Sequence, residues 1–191
     1  AASCDSSEAQ ICAVTLEGCF FLLEYEQLTA LARTVRRYFP LTRDASWRAC
    51  CEPGRLSTGI LNFCKNIELY ELCIDYRTSS QDEARTLGFP PPHVEMQHTK
   101  QVLDHSVFSR FTLQISDADC NRTDEQWKET LRDAAGFGPM AIRLPAGISD
   151  SRHELAVQKL KAFHYGPLSG YPTVFVKPGT DFSPAFEADG V

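Results

Sequence analysis

Eight cysteines lie between Cys4 and Cys120, and none follows. An even number at this density points to a disulfide framework and to an oxidising compartment. Cys4, Cys12, Cys19, Cys50, Cys51, Cys64, Cys73 and Cys120 are therefore all expected in disulfides. Spacing does not fix their pairing. The adjacent Cys50 and Cys51 are expected to reach different partners, because a bond between neighbours strains the backbone. The hydrophobic share of 43% is enough for an ordinary core, so the sulfurs would reinforce a fold that hydrophobic burial already supports.

Charge and patterning exclude several functions. Nineteen basic residues against 25 acidic ones leave a net charge of −6, which opposes non-specific nucleic-acid binding. No stretch approaches the length of a membrane span. The chain opens Ala1-Ala2-Ser3-Cys4 without a leader, as a chain trimmed of a signal peptide would. Asn121-Arg122-Thr123 is a glycosylation sequon, with Asn121 as acceptor. No retention tetrapeptide closes the sequence, which favours export. A secreted or secretory-pathway glycoprotein is the resulting expectation.

The run Gly88-Phe89-Pro90-Pro91-Pro92-His93 divides the chain. Consecutive prolines favour an extended path and interrupt helices. Residues 1–88 are expected to form a disulfide-rich α+β part, 89–99 a proline-rich linker, and 100–191 a second part.

In the first part, Leu28, Leu31, Ala32, Val35 and Phe39 make an apolar stripe that predicts a helix over 24–39, stopped by Pro40. A short helix is expected over 56–65. Alternation predicts a strand over 68–77, with Tyr70, Leu72, Ile74 and Tyr76 on one face and Leu69, Glu71, Cys73 and Asp75 on the other. In the second part, Phe111, Leu113 and Ile115 mark a strand, and Thr123 with Gln126 forms a capping box for a helix. Strands over 140–144 and 173–176 flank a helix opening near Ser151, and an edge strand is expected over 182–186. The order is β-α-β-α-β-β, which implies parallel pairing with right-handed crossovers.

Gly170-Tyr171-Pro172-Thr173, followed by Val174-Phe175-Val176, resembles the cis-proline segment of thioredoxin-like domains in the protein disulfide isomerase family. Val102 to Phe108 is similar to that family's opening segment, and Met140 to Asp150 to its strand before the third helix. The resemblance implies an α/β chain: a cysteine-rich N-terminal part packed on a thioredoxin-like C-terminal part, with Pro172 as the cis-proline. Active members carry two cysteines at the first core helix. Here Cys120 stands alone in Asp119-Cys120-Asn121-Arg122-Thr123, so the resemblance implies a redox-inactive member. Tyr171, Pro172 and Thr173 would then contact a protein partner or an extended peptide.

No catalytic residue, metal ligand or cofactor is expected. The five histidines match no zinc spacing. Pairs such as Glu68 and Glu71 are expected on solvated faces. The leading expectation is non-catalytic protein binding. Its alternatives are an exported effector or immune-evasion protein with an unrelated interface, and a thiol-disulfide oxidoreductase using Cys120.

Overall fold

The structure, a computed structural model, describes residues 10–76, 81–86, 92–105, 110–115 and 123–182. It is α/β, built on one seven-stranded sheet. The strands are β1 (Ile11–Leu16), β2 (Leu41–Cys51), β3 (Glu71–Tyr76), β4 (Phe111–Ile115), β5 (Ala141–Arg143), β6 (Gly166–Leu168) and β7 (Tyr171–Val176). The helices are α1 (Tyr25–Tyr38), α2 (Thr58–Asn66), α3 (Gln81–Thr86), α4 (Pro92–Asp104), α5 (Asp124–Gly136) and α6 (Asp150–Lys161).

The sheet order is β1-β2-β3-β4-β5-β7-β6. The first five strands are parallel neighbours in chain order, and β7 and β6 close the sheet antiparallel. Each βα unit therefore steps in one direction. With right-handed crossovers, successive helices fall on one face of such a sheet. The packing agrees: Leu16, Trp47, Ala49, Cys51, Leu72, Ile74, Leu113, Ile115, Ile142 and Phe175 join Leu28, Ile60, Met96, Trp127, Leu131 and Leu160 in one buried cluster. By strand alternation, Arg48, Cys50, Glu71, Cys73, Thr112, Gln114 and Arg143 leave the sheet on the opposite face.

Local signals explain most elements. Glu24 and Gln27 form a capping box at the start of α1, and Leu28 and Ala32 of its apolar stripe are buried. Thr123 and Gln126 do the same for α5, whose buried residues include Trp127 and Leu131. Ser57 Oγ accepts the Ile60 N–H at the start of α2.

Several expectations are corrected. Pro92 opens α4, where a proline at the first helical position costs no hydrogen bond, so residues 92–99 follow a helix and not an extended linker. Strands from both sides of the proline run share one sheet, with β3 pairing β4 in register. The peptide bond before Pro172 is trans, as are all those among the described residues. β3 is buried on both faces, not one. β1, β2 and β6 are additional strands. Phe182 is buried but outside any strand, and 183–186 lie outside the described residues.

Leu113 is fully buried at the centre of β4, between strands and helices. Leu113→Ala should cost about 2–5 kcal/mol, the usual range for truncation in a packed core. Urea unfolding would show a lower midpoint; an unchanged midpoint would contradict this packing.

Candidate active site

A carboxylate at the start of β3 organises the helix-free face of the sheet. Glu71 is fully buried. Arg143, at the end of β5, holds it in a fork: Nε donates to Oε1 at 3.2 Å and Nη2 to Oε2 at 3.1 Å. Thr112 Oγ1 donates to Oε1 at 2.5 Å. Arg48 of β2 brings a second guanidinium, with Nε 3.6 Å from Oε2. Strand register dictates this meeting, because Arg48 is the direct neighbour of Glu71 and Gln114 that of Arg143. The side chain of Phe182 lies against the Arg143 guanidinium at 5.4 Å, a cation–π contact that covers the ion pair.

One row along the strands lies a thiol pair. Cys50 and Cys73 are direct register partners on β2 and β3. Cys73 Sγ is 3.6 Å from Gln114 Oε1, and Gln114 Oε1 in turn accepts from Arg48 Nη2 at 3.3 Å. Cys50 Sγ lies 3.9 Å from Glu17 Oε1, at the rim beyond β1. The Cys50 hydrogen bond is the largest influence lowering the Cys73 pKa, and the Arg48 guanidinium adds to it against the opposing effect of burial. Cys50 moves the other way, raised first by its hydrogen bond to Cys73 and then by burial. Burial acts to discharge Arg48, but Cys73, Glu71 and Cys50 together outweigh it and raise its pKa.

Glu17, Cys50, Gln114 and Arg143 all stand at the carboxyl ends of parallel strands. In open α/β sheets ligands bind there, because loops leaving the strand ends leave a crevice above them. The arrangement offers fixed donors and acceptors of both signs. It holds no third soft or acidic ligand for a metal: no three His, Cys, Asp or Glu side chains converge among the described residues.

The expected sites distribute differently. Cys12, Cys50, Cys51, Cys64 and Cys73 carry free thiols, so the disulfide framework is not present at those five positions. Cys4, Cys120, Asn121 and the side chain of Cys19 lie outside the described residues. Cys51 and Cys64 are buried in the helix-facing core, where burial raises both pKa values, that of Cys64 to about 12. Tyr171, Pro172 and Thr173 lie on β7, and none joins the Glu71 group. Tyr171 packs beside Ala141, Val174 and Phe182, and the Pro172 carbonyl contacts His153 Nε2 at 2.9 Å. Glu71 is buried and ion-paired, not solvated as expected. The sequence did hold a signal for it: Glu71 and Arg143 are charges at the ends of short, mostly apolar strands, and such charges must find partners when buried.

No protein-family model matches the chain, and no curated protein matches it in sequence. Solved structures do match in fold. Coproporphyrinogen III oxidase (HemN) from Escherichia coli, described as a radical SAM enzyme, superposes with a TM-score of 0.68 at 13% identity. That match covers 90% of this chain and 44% of the other, so this chain spans less than half of that enzyme's length. A domain of pyruvate-formate lyase-activating enzyme from Bacteroides vulgatus superposes with a TM-score of 0.52 at 17% identity, over 78% of this chain and 93% of that domain. At such identities the likeness is one of fold.

These matches correct the earlier expectations. The fold is not that of the disulfide isomerase family's thioredoxin-like domain. The two matched proteins are an enzyme and a domain of one, which overturns the reading as a secreted, non-catalytic binder or exported effector; Cys120, on which the oxidoreductase alternative rested, lies outside the described residues. The secretory location rested on the disulfide framework. With free thiols at the five described positions and this fold, nothing supports a secreted glycoprotein trimmed of a signal peptide.

Glu71→Gln keeps the shape of the side chain but leaves the buried Arg143 and the half-buried Arg48 guanidiniums facing a neutral amide. Removing one partner of a buried ion pair costs roughly 3–5 kcal/mol. Urea unfolding should register a loss of that order, and a loss below about 1 kcal/mol would mean that the carboxylate does not organise this face. Peptide-resolved alkylation of the native protein gives a second check. Cys12, which is exposed, should react first, while Cys51 and Cys64 stay unmodified until denaturant is added.

Proposed function

We propose that this chain is the sheet-bearing part of an enzyme that acts on a small molecule held over the carboxyl ends of β1 to β5. The molecule is proposed to carry a zwitterionic amino-acid head, as S-adenosylmethionine does. The observation that carries this reading is the mixed-charge floor. Arg48 has five N–H donors, more than its contacts with Gln114, Cys73 and Glu71 consume, and these suit a carboxylate. Glu17, exposed at the rim, suits an ammonium group. Glu71 and Arg143 do not bind; they hold the floor rigid, which keeps a bound head in one orientation. The likeness to HemN, described as a radical SAM enzyme, supports the same class of ligand.

The fold also implies an iron–sulfur cluster, which supplies electrons when bound and is held by cysteine thiolates gathered around one point. The described residues do not fit it. Cys12 stands near the start of β1, Cys50 and Cys73 form only a pair, and Cys51 and Cys64 face the helices.

Titration calorimetry with S-adenosylmethionine tests the reading. The wild-type chain should bind saturably, and Arg48→Met should weaken binding roughly 10- to 100-fold, the worth of one or two charge-assisted hydrogen bonds. Arg132→Met, on the exposed face of α5, should leave affinity unchanged. Glu17→Gln gives a milder loss and carries the test if Arg48→Met does not fold. Absence of wild-type binding, or equal affinity in all variants, would overturn the proposal.

A further inference from the structure

Cys50 and Cys73 face each other across the parallel ladder of β2 and β3, with Cα partners in direct register. Neighbouring strands run about 4.7–4.9 Å apart. A disulfide requires Cα atoms roughly 4.4–6.8 Å apart, so the backbone already meets this condition. Both side chains leave the sheet on the same face, as direct register partners on parallel strands must. Cys73 is buried, while Cys50 is partly exposed beside Glu17. Cys51 and Cys64 lack this arrangement. They belong to a strand and a helix in the apolar core, out of reach of solvent.

We propose that Cys50 and Cys73 form a reversible cross-strand disulfide, made by exchange with a low-molecular-weight disulfide and undone by the corresponding thiol. Cys50 is the sulfur that an incoming disulfide meets. A base in solution takes its proton, which frees the Cys50 thiolate to attack. A Cys50 mixed disulfide forms, and one small thiolate leaves. That thiolate takes the proton from Cys73, and Cys73 then attacks Cys50 Sγ and expels the second small thiolate. The protein pair loses two electrons and the small disulfide gains them, giving one thiol and one thiolate. Arg48 lies beside Cys73 and favours its thiolate as it attacks. After closure that negative partner is gone, and Arg48 retains Gln114 and Glu71. The inference does not depend on the ligand proposed above, and its test uses none.

The whole chain is equilibrated with glutathione at graded ratios of oxidised to reduced form, quenched in acid, alkylated under denaturing conditions and mapped without reduction. Cys50 and Cys73 should lose alkylation together, two thiols per chain, as a peptide linking them emerges. Dithiothreitol should restore both. In Cys50→Ser the linked peptide must be absent while Cys73 stays alkylatable, and far-ultraviolet circular dichroism confirms that this variant is folded. The proposal is overturned if both thiols survive at every ratio, if each carries glutathione without a cross-link, or if Cys50 pairs with a different cysteine.

Discussion

One buried carboxylate organises the helix-free face of this sheet. Glu71 is out of water, and such a group is tolerated only when its charge and lone pairs are met. Thr112, Arg143 and Arg48 meet them from three strands. The contacts join β2, β3, β4 and β5 across the face opposite the helices. Apolar packing gives the helix side its cohesion, and this ion-paired group provides a polar counterpart. A hydrophobic replacement of similar volume would stabilise the strands as well or better, so a charged floor is poorly explained by stability alone.

Topology makes such a floor available. Five parallel strands in chain order send every crossover helix to the same side, which leaves the other side for polar rows. Long side chains bridge those rows diagonally. Arg143 reaches back to Glu71, and Arg48 reaches forward to Gln114. The thiol pair sits between them, in the field of Arg48. Polar and reactive groups thus gather at the carboxyl ends of the strands, while Cys51 and Cys64, on the other face or on α2, stay inert in the core.

Cysteine number misled where cysteine position informed. Eight cysteines suggest staples, but alternation along β2 sends Cys50 and Cys51 to opposite faces, one into a polar row and one into the hydrophobic core. The resemblance to a thioredoxin-like segment failed for a comparable reason. Gly170-Tyr171-Pro172-Thr173 opens a real strand, but the strand lies antiparallel between β5 and β6, and the bond before Pro172 is trans. A tetrapeptide records a local turn and says little about which strands flank it.

By itself, the sequence determined the α/β class and most of the elements that carry strong periodicity. The stripe of α1, the Thr123–Gln126 capping box of α5 and the β-rich runs of β3 and β4 are local, and they survive into the fold, though β3 is buried on both faces. It did not disclose β1, β2 or β6; in β2 Arg43 and Asp44 break the alternation, and pairing with a neighbouring strand supplies the order. Nor did it disclose the helix opened by Pro92, which proline permits at a first turn but does not announce. The meeting of Arg48, Glu71, Cys50, Cys73, Gln114 and Arg143 belonged to tertiary structure alone. These residues are scattered over some half of the chain, and only the register of parallel strands, set by the apolar face they bury against the helices, brings them side by side.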